Sequence, residues 1–300
     1  MPDNFIYRAT CAVCGKNTGK IIYSQNFNDN SLWGYLNEYY GGRLDKSCLS
    51  NGVYELAECF VCGFIWQTHV LNNELMELLY TTWISPEESL NKKTGAKYGM
   101  FQNYSVEVKS IPLLVFNGNT KKPGEIKVLD FGMGWGYWCL MAKAHGFDVS
   151  GYEISQKRLA HARNNGIKTI NSMSELKDNK FDFINTTGIF EHIPDPRDML
   201  EILIKCLEPG GVIRMSVPDG IVLKNCEISP RIKAIHPLEH INCFKHSNLI
   251  KFAVSGGLEY FRQPYLLSHG HNLRTLYRDL VNWVKRQYRG TNLYFRKPVK

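Results

Sequence analysis

No stretch of this 300-residue chain approaches the roughly eighteen consecutive apolar residues that a membrane-spanning helix requires. The opening residues, MPDNFIYRATCAVC, lack both a basic leader and an apolar segment after it, so a secretory signal is not expected. With neither, the expected location is the cytoplasm, where thiols are reduced, metal-bound or buried rather than paired as disulfides. Two nucleotide signatures are also missing. A phosphate-binding loop ends in Gly-Lys-Ser/Thr, and here Gly136 is followed by Tyr137 and Trp138. A dinucleotide G-x-G-x-x-G counted from Gly132 needs glycine where Tyr137 stands, and counted from Gly134 it needs glycine where Cys139 stands. The net charge of +8 excludes little, because plain solubility accounts for it as well as an anionic partner does.

The nine cysteines are unevenly placed. Cys11 and Cys14 form CAVCG, and Cys59 and Cys62 form CFVCG. A two-residue gap lets both thiolates reach one cation, and the following glycine permits the turn that aims backbone N–H groups at sulfur. The second pair lies between the strand-like runs GVYELAE and GFIWQTHV, at the expected tip of a hairpin. Two such knuckles make a four-cysteine zinc site of the ribbon kind, with no open coordination position and therefore a structural role. Residues 15–58 separate the pairs by more than the usual spacing and read as an insertion rich in aromatics, LWGYLNEYYGG. Cys48, Cys139, Cys206, Cys226 and Cys243 lack ligand spacing, and His69 is a ligand only if one of the four cysteines is not.

From residue 71 the pattern turns helical. Leu75, Met76, Leu78 and Leu79 cluster, and SPEESL places Ser85 as N-cap, Pro86 at the first helical position and Glu88 three residues on. Tyr98, Phe101 and Tyr104 are expected to pack their helix onto a neighbour, and the loop NGNTKKPGE marks a boundary near 125. Beyond it strand and helix alternate: IKVLDFG, YWCLMAKAHG, FDVSGYEIS, QKRLAHARNNG capped by Ser155, IKTIN, KFDFINTT, RDMLEILIKCL opened by Asp195 and Pro196, then PGGVIRMSVP. That alternation predicts a doubly wound, mostly parallel sheet whose ligand crevice lies at the carboxyl ends of the strands. NLYFRKP is expected beside GLEYFRQPYL as an antiparallel edge. The first strand ends in Asp130-x-Gly132-x-Gly134-x-Gly136, and Glu153 closes the second, where a carboxylate can accept both hydroxyls of an adenosine ribose.

In this order the segments of residues 125–220 resemble class I S-adenosylmethionine-dependent methyltransferases, whose first motif is similar to VLDFGMGWG. The resemblance implies a seven-stranded Rossmann-like sheet and S-adenosylmethionine as cofactor. Gly132, Gly134 and Gly136 would then let backbone approach the methionine end, and Asp130 would stand near the sulfonium or amino group. Glu153 would hold the ribose with Ile154 beside it. Ser172 and Met173 fall where such enzymes hold adenine, and Thr186 and Thr187 where the fourth strand meets the cofactor. The acid often found in the adenine region is absent here.

The acceptor is read by elimination and by one loop. NTTG at 185–188 has neither the Pro-Pro-aromatic that clamps an extruded adenine nor the Pro-Cys of cytosine chemistry. AIHPLEHINCF, residues 234–244, resembles a loop of sugar and small-molecule methyltransferases. His240, and after it His236, is the expected base for a sugar hydroxyl, while His192 in FEHIPDP is expected to brace a turn. The expectation is therefore a zinc-binding module over 1–70, a helical connector or substrate lid over 71–125 and a methyltransferase domain over 126–300. That domain would act on a hydroxyl, or less readily a carbon, of a sugar or sugar-containing metabolite. The alternative is an RNA-directed protein reading its target through the cysteine module and the basic segment LRTLYRDLVNWVKRQYRG, in which Leu273, Leu276, Tyr277, Leu280, Val281 and Val284 would face inward.

Overall fold

A computed structural model describes residues 4–95, 98–115, 121–262 and 288–299, with positions 277, 280, 281, 283 and 284 between them. The chain divides into two compact units. One comprises Met1–Gly95, Glu191–Pro196 and Pro218–Asn248, the other Ala96–Phe190, Arg197–Val217 and Leu249–Lys300. The boundaries expected at 70 and 125 are not where the chain divides, because two later segments complete the first unit.

Elements are numbered in chain order. In the first unit β1 (Phe5–Tyr7) pairs antiparallel with β5 (His69–Leu71). A second, antiparallel sheet has the order β11-β4-β3-β2, from β2 (Gly19–Asn26), β3 (Val53–Cys59), β4 (Ile65–Gln67) and the distant β11 (Asn242–Cys243). Helix α1 (Asn30–Tyr39) starts where the Asp29 carboxylate accepts the N–H groups of Ser31 and Leu32. The short α2 (Lys46–Leu49) and α3 (Asn73–Leu78) follow, the latter running into a π-turn over Leu79–Trp83. At α4 (Pro86–Thr94) the Ser85 hydroxyl accepts the Glu88 N–H at 3.2 Å with Pro86 at the first position, the arrangement its sequence predicts. The core joins Leu32, Leu36 and Tyr40 of the 15–58 segment to Ala234, Ile235 and Leu238 of the late one. This segment thus contributes a large part of a folded core.

The second unit opens with α5 (Tyr98–Lys109) and α6 (Ile111–Leu114). Strand and helix then alternate through β6 (Lys127–Phe131), α7 (Tyr137–Ala144), β7 (Asp148–Tyr152), α8 (Gln156–Asn164), β8 (Lys168–Ile170), α9 (Met173–Lys177), β9 (Phe181–Thr187), α10 (Pro196–Cys206) and β10 (Leu207–Ser216). Helix α11 (His246–Ser255) and strands β12 (Glu259–Phe261) and β13 (Asn292–Arg296) complete it. One seven-stranded sheet results, in the order β12-β13-β10-β9-β6-β7-β8. Strands β10, β9, β6, β7 and β8 are parallel, and β13 runs antiparallel between β12 and β10. This is the mostly parallel, seven-stranded sheet expected, with the antiparallel edge its sequence predicts. The strand order reverses at β6, so successive helices leave for opposite faces and a crevice opens at its carboxyl end. The positions Val128–Phe131 are buried because helices cover both faces, which is why β6 reads as a continuous apolar run.

The basic segment 273–290 lies in large part outside the described residues. Of the positions expected to face inward, Tyr277, Leu280, Val281 and Val284 are described; Val281 is half-buried, and the other three are 71%, 45% and 43% exposed. Apolar spacing alone therefore placed only part of the described face inward. Among the described residues no helix is long and apolar enough to cross a membrane.

Candidate functional site

At the end of β6 the chain turns through Gly132, Gly134 and Gly136, all at positive φ. A Cβ on Gly132 would stand 2.0 Å from the Ile189 side chain, whereas one on Gly134 would meet nothing within 4 Å. The second glycine thus leaves open space next to bare backbone, as a ligand cradle requires. Glu153, at the end of β7, is 5% exposed and turned onto this loop. Its carboxylate accepts the N–H groups of Gly134 at 3.0 Å, Ile154 at 2.9 Å and Ser155 at 3.0 Å, with Arg158 at 3.7 Å. A carboxylate offers about four acceptor positions, and these three N–H groups engage three of them. The Ser155 hydroxyl makes no cap to α8, contrary to expectation; its N–H serves Glu153 instead. Beside Glu153, Ile154 is an exposed apolar side chain.

Asp130 is buried, its carboxylate accepting from the Asn185 amide at 2.8 Å and the Cys139 thiol at 3.6 Å. Burial pushes its carboxyl up to about 6, against the pull of those two donors and of Arg214. The Asn185 oxygen in turn accepts from Arg214 at 2.9 Å, and Arg214 forks onto Glu107 of α5 at 2.9 and 2.6 Å. The Trp138 indole N–H also reaches Glu107, at 3.2 Å. Sequence alone did not reveal this network, although arginine in the middle of the apolar strand VIRMSV is a signal that a buried partner must exist. Thr186 is wholly buried and its hydroxyl donates to the Arg214 carbonyl at 2.8 Å, so only Thr187 of that pair is exposed. The Ser172 hydroxyl caps α9 by accepting the Glu175 N–H at 3.1 Å, with Met173 half-buried next to it. Phe101 meets Tyr104 and Tyr137 edge-on, a packing contact.

In the first unit the two cysteine knuckles face each other. Cys11 and Cys62 sulfurs are 3.5 Å apart, as are those of Cys14 and Cys59, and all four lie within 4.8 Å of one another. A tetrahedral cation with thiolates at ~2.3 Å would space them by roughly 3.8 Å, so the set fits zinc. The knuckles repeat one geometry: Gly15 and Gly63 are both left-handed, and each N–H returns to the first cysteine's carbonyl at 2.9 Å. His69 is not in this group; its Nδ1 lies 3.0 Å from the Thr68 hydroxyl.

The late segment of the same unit carries the histidines. Buried Gln67 donates to the carbonyls of His236 at 3.1 Å and His240 at 3.2 Å, and the Tyr54 hydroxyl donates to the Ile235 carbonyl. Between them Leu238 is held at φ 68, the one non-glycine described residue in the left-handed region. His236 is packed among Tyr39, Tyr35 and Tyr40, with ring centroids 4.2, 5.7 and 6.1 Å away, and neither ring nitrogen has a hydrogen-bond partner. The aromatics of the 15–58 segment are therefore its walls. Glu239 lies 3.8 Å from His236 Nδ1 and accepts from the Tyr40 hydroxyl at 2.8 Å. His240 does not cap a helix; its Nδ1 meets the Lys233 carbonyl. His192 is more than a turn residue, since its ring stands 4.8 Å from that of His240 and its Nε2 3.9 Å from Glu191. Burial drives the histidines down, His236 and His240 to about 4 and His192 to about 3, with the charge of His240 adding to the first and last. Burial also pushes the Glu191 carboxyl up to about 8. The same unit has a pocket of about 360 Å³ lined by Tyr23, Gln25, Ser31, Tyr35, Glu227 and Arg231.

A family model described as a methyltransferase domain matches residues 104–262. The ubiquinone biosynthesis O-methyltransferase of Idiomarina loihiensis is 26% identical over 151 residues, 44% of this chain and 61% of that protein. The protein of the same name from Bordetella avium is 25% identical over 151 residues, 44% of this chain and 62% of its own length. The chain thus spans less than two thirds of these relatives. Among solved structures, the plantazolicin methyltransferase in complex with a triazolic desmethyl analogue and SAH has a TM-score of 0.50 at 14% identity, covering 74% of this chain and 94% of that one.

Proposed function

The chain belongs to the methyltransferase-domain family, and from that premise we propose that it transfers a methyl group from S-adenosylmethionine to a hydroxyl oxygen of a sugar or sugar-containing small metabolite. The observation that carries the cofactor reading is the turn after β6, with open space at Gly134 and the Glu153 carboxylate directed at it. Asp130, Gly132, Gly134, Gly136, Glu153 and Ile154 would hold the cofactor, with Ser172, Met173 and Thr187 on its rim. When bound, it supplies a methyl group on a sulfonium whose departure as a neutral thioether needs no acid. What remains for the protein is to hold the acceptor and take its proton.

The oxygen acceptor is supported by the names of the two curated relatives, both O-methyltransferases. A polyhydroxylated acceptor is supported by the first unit's pocket, where two tyrosine rings and several polar side chains stand beside the apolar Leu32, Ile228 and Pro230, and Arg231 stacks 4.6 Å over Tyr35. His236 is the base of this reading: neutral at pH 7, unpartnered at both nitrogens, and with the Glu239 carboxylate near enough to favour the imidazolium that forms. His240, the first expectation, has one nitrogen committed to a backbone carbonyl. The four thiolates would hold one structural zinc ion.

Labelled cofactor offered with nucleotide sugars, polysaccharide fragments and RNA tests the reading. Label recovered as an alkali-stable methyl ether on a sugar is the expected result, and label on RNA alone overturns it. Replacing His236 by alanine should cut turnover by about 10²- to 10⁴-fold with cofactor affinity unchanged. It should also remove a rate inflection near pH 4, where protonation of the wild-type ring shuts off the base. Near-wild-type turnover in this variant would place the base elsewhere.

A further inference from the structure

We propose that Glu191, His192 and His240 form a binding site for a divalent transition cation of the zinc–cobalt class, separate from the four-cysteine site. One ligand atom from each lies within 4.8 Å of the other two. The set, one carboxylate and two imidazoles, is a three-ligand combination that transition cations take while keeping a position open for another oxygen.

Two further observations point to a cation. The first is the histidine tautomers. His192 Nδ1 lies 2.8 Å from the Glu239 carbonyl and 3.0 Å from the Tyr80 hydroxyl, and His240 Nδ1 meets the Lys233 carbonyl. A carbonyl only accepts, so each Nδ1 carries the proton and each Nε2 presents its lone pair. Backbone carbonyls holding the far nitrogen are the usual means by which a protein orients imidazoles toward a metal. The second is Glu191, only 3% exposed, whose Oε2 has no hydrogen-bond partner. Its titratable neighbour within 4 Å is the His192 ring, at 3.9 Å, and no lysine or arginine among the described residues lies within ion-pair distance of it. Ionising a buried carboxyl that has no partner is costly, and a coordinated cation offsets that cost. Metal–ligand bonds of ~2.0–2.1 Å would draw the three atoms together by about an ångström.

The open position gives the site a role that rests on the oxygen-acceptor reading above: a hydroxyl bound there becomes more acidic and yields its proton to His236 more readily. Occupancy of the site does not depend on that role.

Metal-stripped full-length protein titrated with Co²⁺ in reducing buffer separates the two sites by colour. The cysteine site gives intense thiolate-to-cobalt absorption, and the Glu–His site gives weak visible bands without it. The expected wild-type result is two equivalents, the thiolate bands saturating after one. Glu191→Gln and His240→Ala should each bind one equivalent, keep the thiolate bands and weaken the second site by at least 100-fold. A single equivalent in wild type, or two in both variants, overturns the proposal. Should either variant lose the thiolate bands through misfolding, ¹⁵N-histidine spectra of the wild type decide. Added Zn²⁺ must shift two Nε2 resonances, and unshifted resonances reject the site. Two equivalents without methyl transfer to any hydroxyl would defeat the acceptor reading while leaving the metal site standing.

Discussion

Asp130 makes the folded chain's stability depend on pH in a direction opposite to that of most carboxylates. Its carboxyl rises from 3.8 to about 6 because the folded chain removes it from water. Between those values the folded state keeps a proton that the unfolded state releases, so stability is fully present below about pH 4 and falls as pH rises toward 6. At about 1.36 kcal/mol per pH unit the whole rise amounts to about 3 kcal/mol, of which about 2 kcal/mol falls between pH 4.5 and 7.5. Asp130→Asn keeps the shape and removes the titration. Urea denaturation of both proteins at pH 4.5, 5.5, 6.5 and 7.5 should show the wild type losing about 2 kcal/mol relative to the variant across the series, with equal m-values. Other groups cancel in the difference. Parallel stability curves would refute the reasoning, because they would mean that Asp130 is ionised at its ordinary pKa inside the fold. The raised carboxyl also gives a functional readout: at pH 6, S-adenosylmethionine should bind with proton release in the wild type and with none in the variant.

Glu153→Ala should weaken S-adenosylmethionine binding by about 10- to 100-fold, the value of charge-assisted hydrogen bonds to a diol, while calorimetry showing a preference for NAD would overturn the cofactor assignment. Gly134→Val, which fills the open space and strains a left-handed residue, should abolish measurable binding while the sheet's circular dichroism persists. Cys59→Ser should lower zinc content and melting temperature together, and full zinc retention would reject the four-cysteine site. Glu107→Gln should destabilise the second unit by about 3–5 kcal/mol by stranding Arg214 without its counter-charge. The double replacement Glu107→Leu with Arg214→Met should recover most of that loss in the same denaturation assay.

What was legible in the sequence is what repeats or is local. Strand–helix alternation predicted the parallel sheet, because buried strands and amphipathic helices each impose a period on the chain. The glycine run and the two CxxCG knuckles were legible because a turn's backbone requirements concern only adjacent residues. Long-range partners were not. Nothing near Gln67 signals that its amide binds carbonyls at 236 and 240, and nothing in FEHIPDP shows that Glu191 lacks a hydrogen-bond partner. The inward face assigned to 273–284 held only in part among the described residues, Val281 being half-buried and Tyr277, Leu280 and Val284 exposed, for a related reason. Helical spacing says which residues share a side, and only the surrounding fold says whether that side is covered.

The discontinuous make-up of the first unit has a consequence for how the chain is made. A ribosome delivers residues 1–95 long before 218–248, yet Tyr54, Gln67 and the edge of β4 find their partners only in that later segment. During synthesis the aromatic helix α1 and the open edge of β4 must wait through the emergence of most of the parallel sheet, with apolar surface uncovered in the interval. Prior loading of the cysteine knuckles with metal would shorten the list of what is unfolded at that stage, since both knuckles are complete by residue 63. Zinc limitation should therefore act first on newly made chains, raising the fraction captured by chaperones, well before it affects molecules already folded.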